Sequence, residues 1–342
     1  MSVTAATYGL AGERLTPDEK AFFRDADPWG FTLFARNIDR PGQVRALTDS
    51  LRDLLGRTVP VFIDQEGGRV QRFKAPVWRA APPAARFGAL WDREPEAALE
   101  AVALNHRLIG SELIAAGVDV DYAPCADLSV PGAHDVIGER AFHTDPQAVA
   151  ALATAALEGL LDQGVLGVIK HLPGHGRAAA DSHHELPVVE TERGVLEETD
   201  FAAFKAIEGA LMAMTAHVVY ADIDADAPAT CSAEVIARVI RGSIGFDGLL
   251  MSDDLSMKAL RGDLRMRGER ALQAGCDLIM HCNGDLAEMI EVAHAAPALD
   301  GRAAQRAEAA LAERRAPGEL DFAAGVKRLD ALFTGAGLEP VS

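Results

Sequence analysis

The chain has 342 residues, enough for one large domain or two ordinary ones. Its composition, with 49% hydrophobic and 25% charged residues, is that of a globular protein. Its formal net charge of −18, from 33 basic and 51 acidic side chains, argues against nucleic acid or an anionic membrane as the main partner.

Short apolar runs rich in β-forming residues alternate along the chain with stretches of helical periodicity. The runs lie at 7–12, 30–35, 60–65, 118–124, 166–171, 211–217, 248–254 and 277–282. Residues that cap helix N-termini stand between several of them, namely Thr16, Asp145 and Ser232. The Pro- and Ala-rich region 75–97 is expected to be a long loop, and a last helix is expected after about residue 318.

This regular alternation predicts a parallel sheet covered by helices. Eight continuously apolar strands favour closure into a (β/α)8 TIM barrel over an open sheet. The alternative is a doubly wound α/β sheet, which usually has a glycine-rich turn after its first strand, and the segment GLAGERL at 9–15 matches that turn poorly. Because composition does not shift along the chain, we expect residues 1–342 to form a single domain.

Polar and charged residues follow several of the predicted strands, where each strand ends. In a barrel these C-terminal ends converge on one face, which is where catalytic groups lie. The residues concerned are Asp64, Lys170, His171, His217, Asp253, Asp254 and His281. The sequence therefore predicts a polar site at one end of the barrel.

Some of these residues also have a structural interpretation. His217 is as readily a hydrogen-bonded core histidine as a ligand. One of the two acids Asp253 and Asp254 could cap a helix in the segment SMKAL that follows them. Glu66 could hold the loop after the third strand, and His184 and His281 are interpreted as structural or rim residues.

The stretch IKHLPGHGRAAADSHHELP at 169–187 contains four histidines, which raises the question of a metal site. A zinc pair formed by His171 and His175 would suit a helix, but Pro173 and Gly174 between them argue against one. Metal-dependent hydrolases on this barrel usually carry a His-x-His pair at the end of the first strand, and this sequence has none there. We therefore expect neither a metal nor another cofactor.

Proton transfer is the better interpretation of the same stretch. Asp181 precedes His183 by two residues, and side chains at i and i+2 of an extended segment point the same way. The carboxylate can then orient the imidazole, whose other nitrogen exchanges protons near neutral pH. Asp253, from another strand, could act as a nucleophile or stabilise charge, and two such groups are the arrangement used to cleave glycosides.

Four motifs follow one another along the chain: IDQEGGRVQRF (63–73), IGERAFHTDP (137–146), IKHLPGHGRAAADSHHELP (169–187) and GFDGLLMSDDLSMKAL (245–260). With them the chain resembles the bacterial β-N-acetylhexosaminidases of glycoside hydrolase family 3, and within that family the short single-domain enzymes of cell-wall recycling. The departures are Leu172, where an aromatic residue is common, and a slightly long loop ahead of Arg140.

The resemblance implies a retaining mechanism, with Asp253 as the nucleophile and His183 as the acid–base group oriented by Asp181. It also implies a set of residues that hold a terminal N-acetylglucosamine: Asp64, Arg72, Arg140, Lys170 and His171. His175 is interpreted as holding the loop through hydrogen bonds. The implied substrate is N-acetylglucosaminyl-1,6-anhydro-N-acetylmuramic acid from peptidoglycan recycling, with or without its peptide.

Three other functions stay open at this point. A histidine acid–base group does not repel phosphate as an anionic glutamate would, so phosphorolysis of the same glycosides is one of them. A non-catalytic barrel that binds amino sugars is another, and a metal-dependent amidohydrolase is the third.

The expected partners are carbohydrates alone, without nucleic acid or membrane. No interface stripe stands out, and a monomer is expected. The chain shows neither an export signal nor an apolar run that could span a bilayer. Its four cysteines are scattered, at Cys125, Cys231, Cys276 and Cys282, so we expect reduced thiols in a cytoplasmic protein.

Overall fold

In the computed structural model, which describes residues 3–178, 180, 182, 185–207 and 209–342, eight parallel strands close into a barrel. They are β1 (Thr4–Gly9), β2 (Pro28–Leu33), β3 (Val61–Ile63), β4 (Val120–Asp121), β5 (Leu166–Leu172), β6 (Met212–Thr215), β7 (Leu249–Asp254) and β8 (Leu278–His281). Each strand pairs with its neighbours in chain order, and the barrel closes where Ala6 of β1 lies opposite Ile279 of β8. The predicted TIM barrel is confirmed, and the doubly wound sheet is excluded.

Helices connect successive strands and cover the outside of the barrel. They are α1 (Pro17–Ala26), α2 (Pro41–Leu55), α3 (Ala84–Trp91), α4 (Pro95–Ala115), α5 (Pro146–Asp162), α6 (Arg193–Glu198), α7 (Asp200–Lys205), α8 (Leu264–Ala274), α9 (Leu286–Ala293), α10 (Gly301–Ala312) and α11 (Phe322–Gly335). A π-helix at Val235–Ser243 joins β6 to β7. Short 3₁₀ helices lie at Ala35–Asn37, Gly138–Arg140 and Ala229–Cys231.

Two small sheets lie outside the barrel. The strands Gln65–Gly67 and Val70–Gln71 form a hairpin directly after β3. A three-stranded sheet is formed by Val188–Val189, Val219–Tyr220 and Asp224–Pro228. The segments of both sheets follow the C-terminal ends of barrel strands, so they belong to the loops on the C-terminal face of the barrel.

The predicted helix starts are confirmed by their capping hydrogen bonds. Thr16 Oγ1 accepts from the backbone N–H of Glu19, whose carboxylate accepts in turn from the N–H of Thr16. Asp145 caps α5, and Ser232 Oγ accepts from the N–H of Val235 at 3.1 Å. These side chains satisfy N–H groups that the first turn of a helix leaves without a partner.

The expectation of a continuous loop over 75–97 is wrong, because α3 lies within it. Phe87 and Leu90 of this helix are buried, 1% and 0% exposed. Their spacing of three residues puts them on one face of the helix, and Phe87 packs edge-on against Phe333 of α11 at 5.6 Å between ring centroids. Tertiary packing therefore makes a helix where proline and alanine composition indicated a loop.

The barrel interior is filled by side chains from alternate strand residues. Phe62 and Tyr122 stack there with ring centroids 5.1 Å apart. Leu166 and Val168 of β5 belong to the same apolar cluster. Because the strand period is two, Lys170 continues the inward-facing row of β5 and extends into the mouth of the barrel.

None of the helices in the described part of the chain is both long enough and apolar enough to cross a membrane.

Candidate active site

A cavity of about 300 Å³ lies at the C-terminal ends of the barrel strands. It is lined by every residue predicted to hold the sugar and by the predicted nucleophile, namely Asp64, Arg72, Arg140, Lys170, His171 and Asp253. Much of the remaining wall is apolar and comes from Phe34, Val70, Tyr122, Ile137, Met214, Met257 and Met280. Charged groups of both signs thus converge in a pocket whose remaining walls are largely apolar, as is usual for small-ligand sites.

The hairpin after β3 brings Arg72 back to Asp64. At its turn, Gly67 and Gly68 have φ angles of +97° and +56°, in the region where any other side chain is strained. The chain therefore reverses tightly, and Arg72 Nη2 donates to Asp64 Oδ2 at 2.8 Å. The side-chain oxygen of Gln65 holds the returning strand by accepting from the backbone N–H of Arg72 at 2.8 Å.

Lys170 is the centre of a network of charges at the mouth of the barrel. Its Nζ donates to Asp64 Oδ1 at 2.8 Å and lies 2.6 Å from Glu66 Oε1. Arg140 binds the same glutamate through both of its carboxylate oxygens, at 2.8 and 2.9 Å. Glu66 thus fixes Lys170 and Arg140 in place, in keeping with its interpretation as a residue that holds structure.

The network keeps its members charged although they are largely buried. Burial alone would raise the pKa of Asp64, but Lys170 and Arg72 hold it well below its ordinary value. Burial acts on Glu66 in the same direction, and Arg140 and Lys170 reverse it and lower its pKa to about 2. Burial would lower the pKa of Lys170, and the two carboxylates raise it instead. Charged groups at fixed positions are suited to binding sugar hydroxyls.

We expect these depressed pKa values to make the protein lose stability in acid. Carboxyl groups of an unfolded chain titrate near pH 4, above the native pKa values of Asp64 and Glu66. Between the two values the unfolded state binds more protons, so the stabilisation is complete above about pH 5 and is lost as the pH falls, by up to about 1.4 kcal/mol per pH unit for each group. Denaturant midpoints measured from neutral pH to about pH 3 check this. If the stability of Glu66→Gln fell as steeply with decreasing pH as that of the wild-type protein, this explanation would be contradicted.

Asp253 and Asp254 follow each other at the end of β7 and have different surroundings. Both line the cavity and are half-buried. The backbone N–H of Asp254 donates to Asp253 Oδ1 at 2.7 Å. Asp254 accepts from the N–H of Ser256 at 3.0 Å, from its hydroxyl at 2.6 Å and from the N–H of Cys282 at 3.1 Å. Asp254 therefore holds a turn and links β7 to β8, whereas the helix expected in SMKAL is replaced by turns.

His217, which follows β6, and His281, which ends β8, are both buried. His217 is 0% exposed, its Nδ1 lies 2.7 Å from Thr230 Oγ1 and its Nε2 lies 3.0 Å from the carbonyl oxygen of Asp254. Burial lowers its pKa, although Asp253 acts in the opposite direction. This geometry supports the interpretation of His217 as a satisfied core histidine. His281 is also fully buried, and burial lowers its pKa as well.

Asp127 is a site residue that the sequence reasoning did not identify. Its Oδ2 lies 2.6 Å from His171 Nδ1, and its Oδ1 accepts from the backbone N–H of His175 at 2.6 Å. Burial alone would raise the pKa of Asp127, but His171 and the hydrogen bonds hold it well below its ordinary value. The signal for Asp127 in the sequence is its position shortly after β4, on the side of the barrel where the strands end.

His175 also lies on the cavity wall. Burial and the adjacent His171 lower the pKa of His175 to about 4, so it is neutral at physiological pH. Its Nε2 lies 3.1 Å from Ser182 Oγ, a contact of the kind expected if His175 holds this loop. Ser182 lies between Asp181 and His183 in the chain; those two residues and His184 are outside the described residues.

The described residues contain one group whose atoms lie close enough to hold a metal ion. Ligand atoms of Cys125, Asp127 and His171 all lie within 4.8 Å of one another. In the structure these atoms are hydrogen bonded to each other, with the Cys125 thiol donating to Asp127 Oδ2 at 3.3 Å. Burial, followed by the charge of Asp127, raises the pKa of this thiol well above its ordinary value. The expectation of a metal-free protein stays a prediction.

Residues 14–312 match the family profile described as the glycosyl hydrolase family 3 N terminal domain. Two proteins named Beta-hexosaminidase are similar to this chain in sequence. The protein from Alkalilimnicola ehrlichii is 43% identical over 80% of this chain and 79% of its own length. The protein from Bordetella avium is 39% identical over 82% of this chain and 81% of its own length.

The fold is also similar to crystal structures of NagZ from Neisseria gonorrhoeae. The complex with N-trifluoroacetyl-D-glucosamine has a TM-score of 0.87 and 32% identity, and the match covers 97% of this chain and 98% of that one. A complex of the same protein with a zinc ion has a TM-score of 0.86 and 31% identity, with the same coverage of 97% and 98%.

Proposed function

Since this chain belongs to glycosyl hydrolase family 3 and is a glycoside hydrolase of the β-hexosaminidase type, we propose that it removes terminal non-reducing N-acetylglucosamine with retention of configuration. One observation carries the proposal. All five residues expected to hold the sugar, together with Asp253, line a single cavity at the C-terminal face of the barrel. The neighbouring NagZ structure that contains an N-acylated glucosamine derivative supports this choice of sugar.

In the proposed mechanism, Asp253 attacks the anomeric carbon and the bond to the leaving oxygen breaks. His183 gives its proton to that oxygen, and a covalent glycosyl-aspartate forms. His183 then takes a proton from water, which attacks the same carbon and releases β-N-acetylglucosamine. Asp181 orients His183 throughout. The position of Asp253 on the cavity wall supports its role, whereas the roles of His183 and Asp181 rest on their motif.

The charged network provides the means to hold the sugar. Asp64 faces the cavity between Lys170 and Arg72, so its carboxylate is fixed and can accept from sugar hydroxyls. Lys170, Arg72 and Arg140 can donate to sugar oxygens from the same wall. Since each of these groups is paired before substrate arrives, little reorganisation is needed on binding.

We further propose N-acetylglucosaminyl-1,6-anhydro-N-acetylmuramic acid, with or without peptide, as the substrate, in peptidoglycan recycling in the cytoplasm. The motif resemblance supports this, and the presence of four free cysteines is compatible with a reducing compartment. We propose that the protein acts as a monomer and a single domain, without a metal. The packing of α11 on the rest of the barrel, with Arg328 paired to Glu100 at 2.7 Å, supports the single domain.

Proton NMR of the digestion of an aryl N-acetyl-β-glucosaminide tests this function. We expect β-N-acetylglucosamine to appear before its α-anomer, at a rate that neither phosphate nor a chelator changes. A sugar phosphate formed in the presence of phosphate would identify a phosphorylase. Early appearance of the α-anomer would contradict retention, inactivation by the chelator would contradict the metal-free mechanism, and the absence of any turnover would favour a barrel that only binds amino sugars.

A further inference from the structure

Asp127 contacts the cavity residue His171 at both its backbone and its imidazole ring. Both of its carboxylate oxygens are used, and the side chain is 0% exposed. Oδ1 accepts from the backbone N–H groups of His171 and His175, at 3.2 and 2.6 Å. Oδ2 accepts from the Cys125 thiol at 3.3 Å and lies 2.6 Å from His171 Nδ1. A buried carboxylate surrounded by four donor groups in this way is an acceptor toward each of them.

From this geometry we infer that Asp127 is a positioning residue for His171: when the imidazole carries a single hydrogen, Asp127 keeps that hydrogen on Nδ1 and leaves Nε2 as an acceptor. The carboxylate can only accept at 2.6 Å, so Nδ1 must be the donor in that contact. A neutral imidazole has a single N–H, so its other nitrogen carries a lone pair. His171 lines the cavity, and Nε2 is the ring nitrogen that Asp127 leaves available.

The inference rests on the proposed function and makes it more specific. It predicts that the neutral form of His171 recognises a group that donates a hydrogen bond, such as a sugar hydroxyl, and does not recognise a carbonyl oxygen. The neighbouring Lys170 and Arg140 can only donate. The wall thus combines donors with two fixed acceptors, Asp64 and His171, and this combination matches hydroxyl groups, which both donate and accept.

Histidine-resolved ¹H–¹⁵N NMR of the full chain tests the tautomer without any need for activity. The His171 signals are assigned as those lost in His171→Gln. At about pH 9, above the range where imidazoles ordinarily titrate, we expect Nδ1 to carry the hydrogen in the wild-type protein. Asp127→Asn is expected to shift the hydrogen to Nε2 in a substantial fraction of molecules. Finding the hydrogen on Nε2 in the wild-type protein would overturn the inference even if the variant failed to fold.

A kinetic cycle tests whether Asp127 acts through His171. Asp127→Asn is expected to lower kcat/KM by roughly 10- to 100-fold, the effect of losing one hydrogen bond with a charged partner. In a His171→Ala background the same substitution should change kcat/KM by less than about twofold. Cys125→Ala, which removes a different donor to the same carboxylate, serves as the matched control and should leave activity nearly unchanged.

Equal losses from Asp127→Asn in both backgrounds would overturn the inference, because Asp127 would then act independently of His171. Failure of the proposed function gives a different result. A wild-type protein that hydrolyses no N-acetylglucosaminide would leave the kinetic cycle without a signal, while the NMR measurement would still decide the position of the hydrogen on His171.

Discussion

Replacing Asp253 with alanine is expected to lower kcat by on the order of 10⁴-fold or more while the dissociation constant for N-acetylglucosamine changes by less than about threefold. The substitution removes the atom that forms the bond to the anomeric carbon, and no other described residue is assigned that role. It leaves the charged network of Asp64, Lys170 and Arg140 intact, and we assign most of the sugar binding to that network.

Steady-state hydrolysis of an aryl N-acetyl-β-glucosaminide and calorimetric titration with N-acetylglucosamine separate the two effects. Asp18→Ala, which removes an exposed carboxylate in the first turn of α1, is the matched control and should keep full activity. Residual activity of Asp253→Ala within about tenfold of the wild-type value would contradict the nucleophile assignment. Loss of sugar binding together with activity would contradict the separation of catalysis from binding.

The second large effect is expected on stability, from Lys170→Met. Lys170 is 2% exposed and pairs with both Asp64 and Glu66. Methionine has a similar shape but no charge, so it leaves part of the charge of two largely buried carboxylates uncompensated. Removing one partner of a buried ion pair typically destabilises a protein by about 3–5 kcal/mol. Since Arg72 and Arg140 still neutralise part of that charge, we expect a loss toward the lower end of this range.

Denaturant unfolding followed by circular dichroism measures this loss as a shift in the midpoint. Lys20→Met on α1 is the control, because Lys20 is exposed and its replacement should shift the stability by less than about 0.5 kcal/mol. Equal stability of the two variants would show that the network around Lys170 does not stabilise the barrel. Sugar binding by Lys170→Met should also weaken, because Asp64 would lose one of the two cations that fix its orientation.

Much of the fold could be predicted because the strands of a parallel barrel are covered on both sides. Their sequences are therefore continuously apolar, and runs such as 166–171 stand out in the chain. The predicted strand boundaries are less accurate than the strand positions. The run at 118–124 corresponds to a strand of only two residues, Val120–Asp121. The length of a strand depends on its pairing with strands that are distant in sequence. The hydrophobic pattern of the strand's own residues does not predict that pairing.

The candidate site was predictable to different degrees for different residues. Asp64, Lys170 and Asp253 directly end barrel strands, so topology alone brings them to one face. Arg72 reaches the cavity through a hairpin and Arg140 through a 3₁₀ helix, and only the motif resemblance indicated them. Asp127 contacts the site through hydrogen bonds to residues 44 and 48 positions away, and such contacts become visible only in the folded chain.

Trapping the glycosyl-enzyme tests the central claim most directly. The protein would be incubated with a 5-fluoro derivative of N-acetylglucosaminyl fluoride, whose covalent intermediate is hydrolysed slowly, and analysed by mass spectrometry of the intact protein and of its peptides. We predict the mass gain of one fluorinated N-acetylglucosaminyl group, located on Asp253. An adduct on another residue, or complete turnover of the reagent by Asp253→Ala, would contradict the mechanism in which Asp253 attacks the sugar.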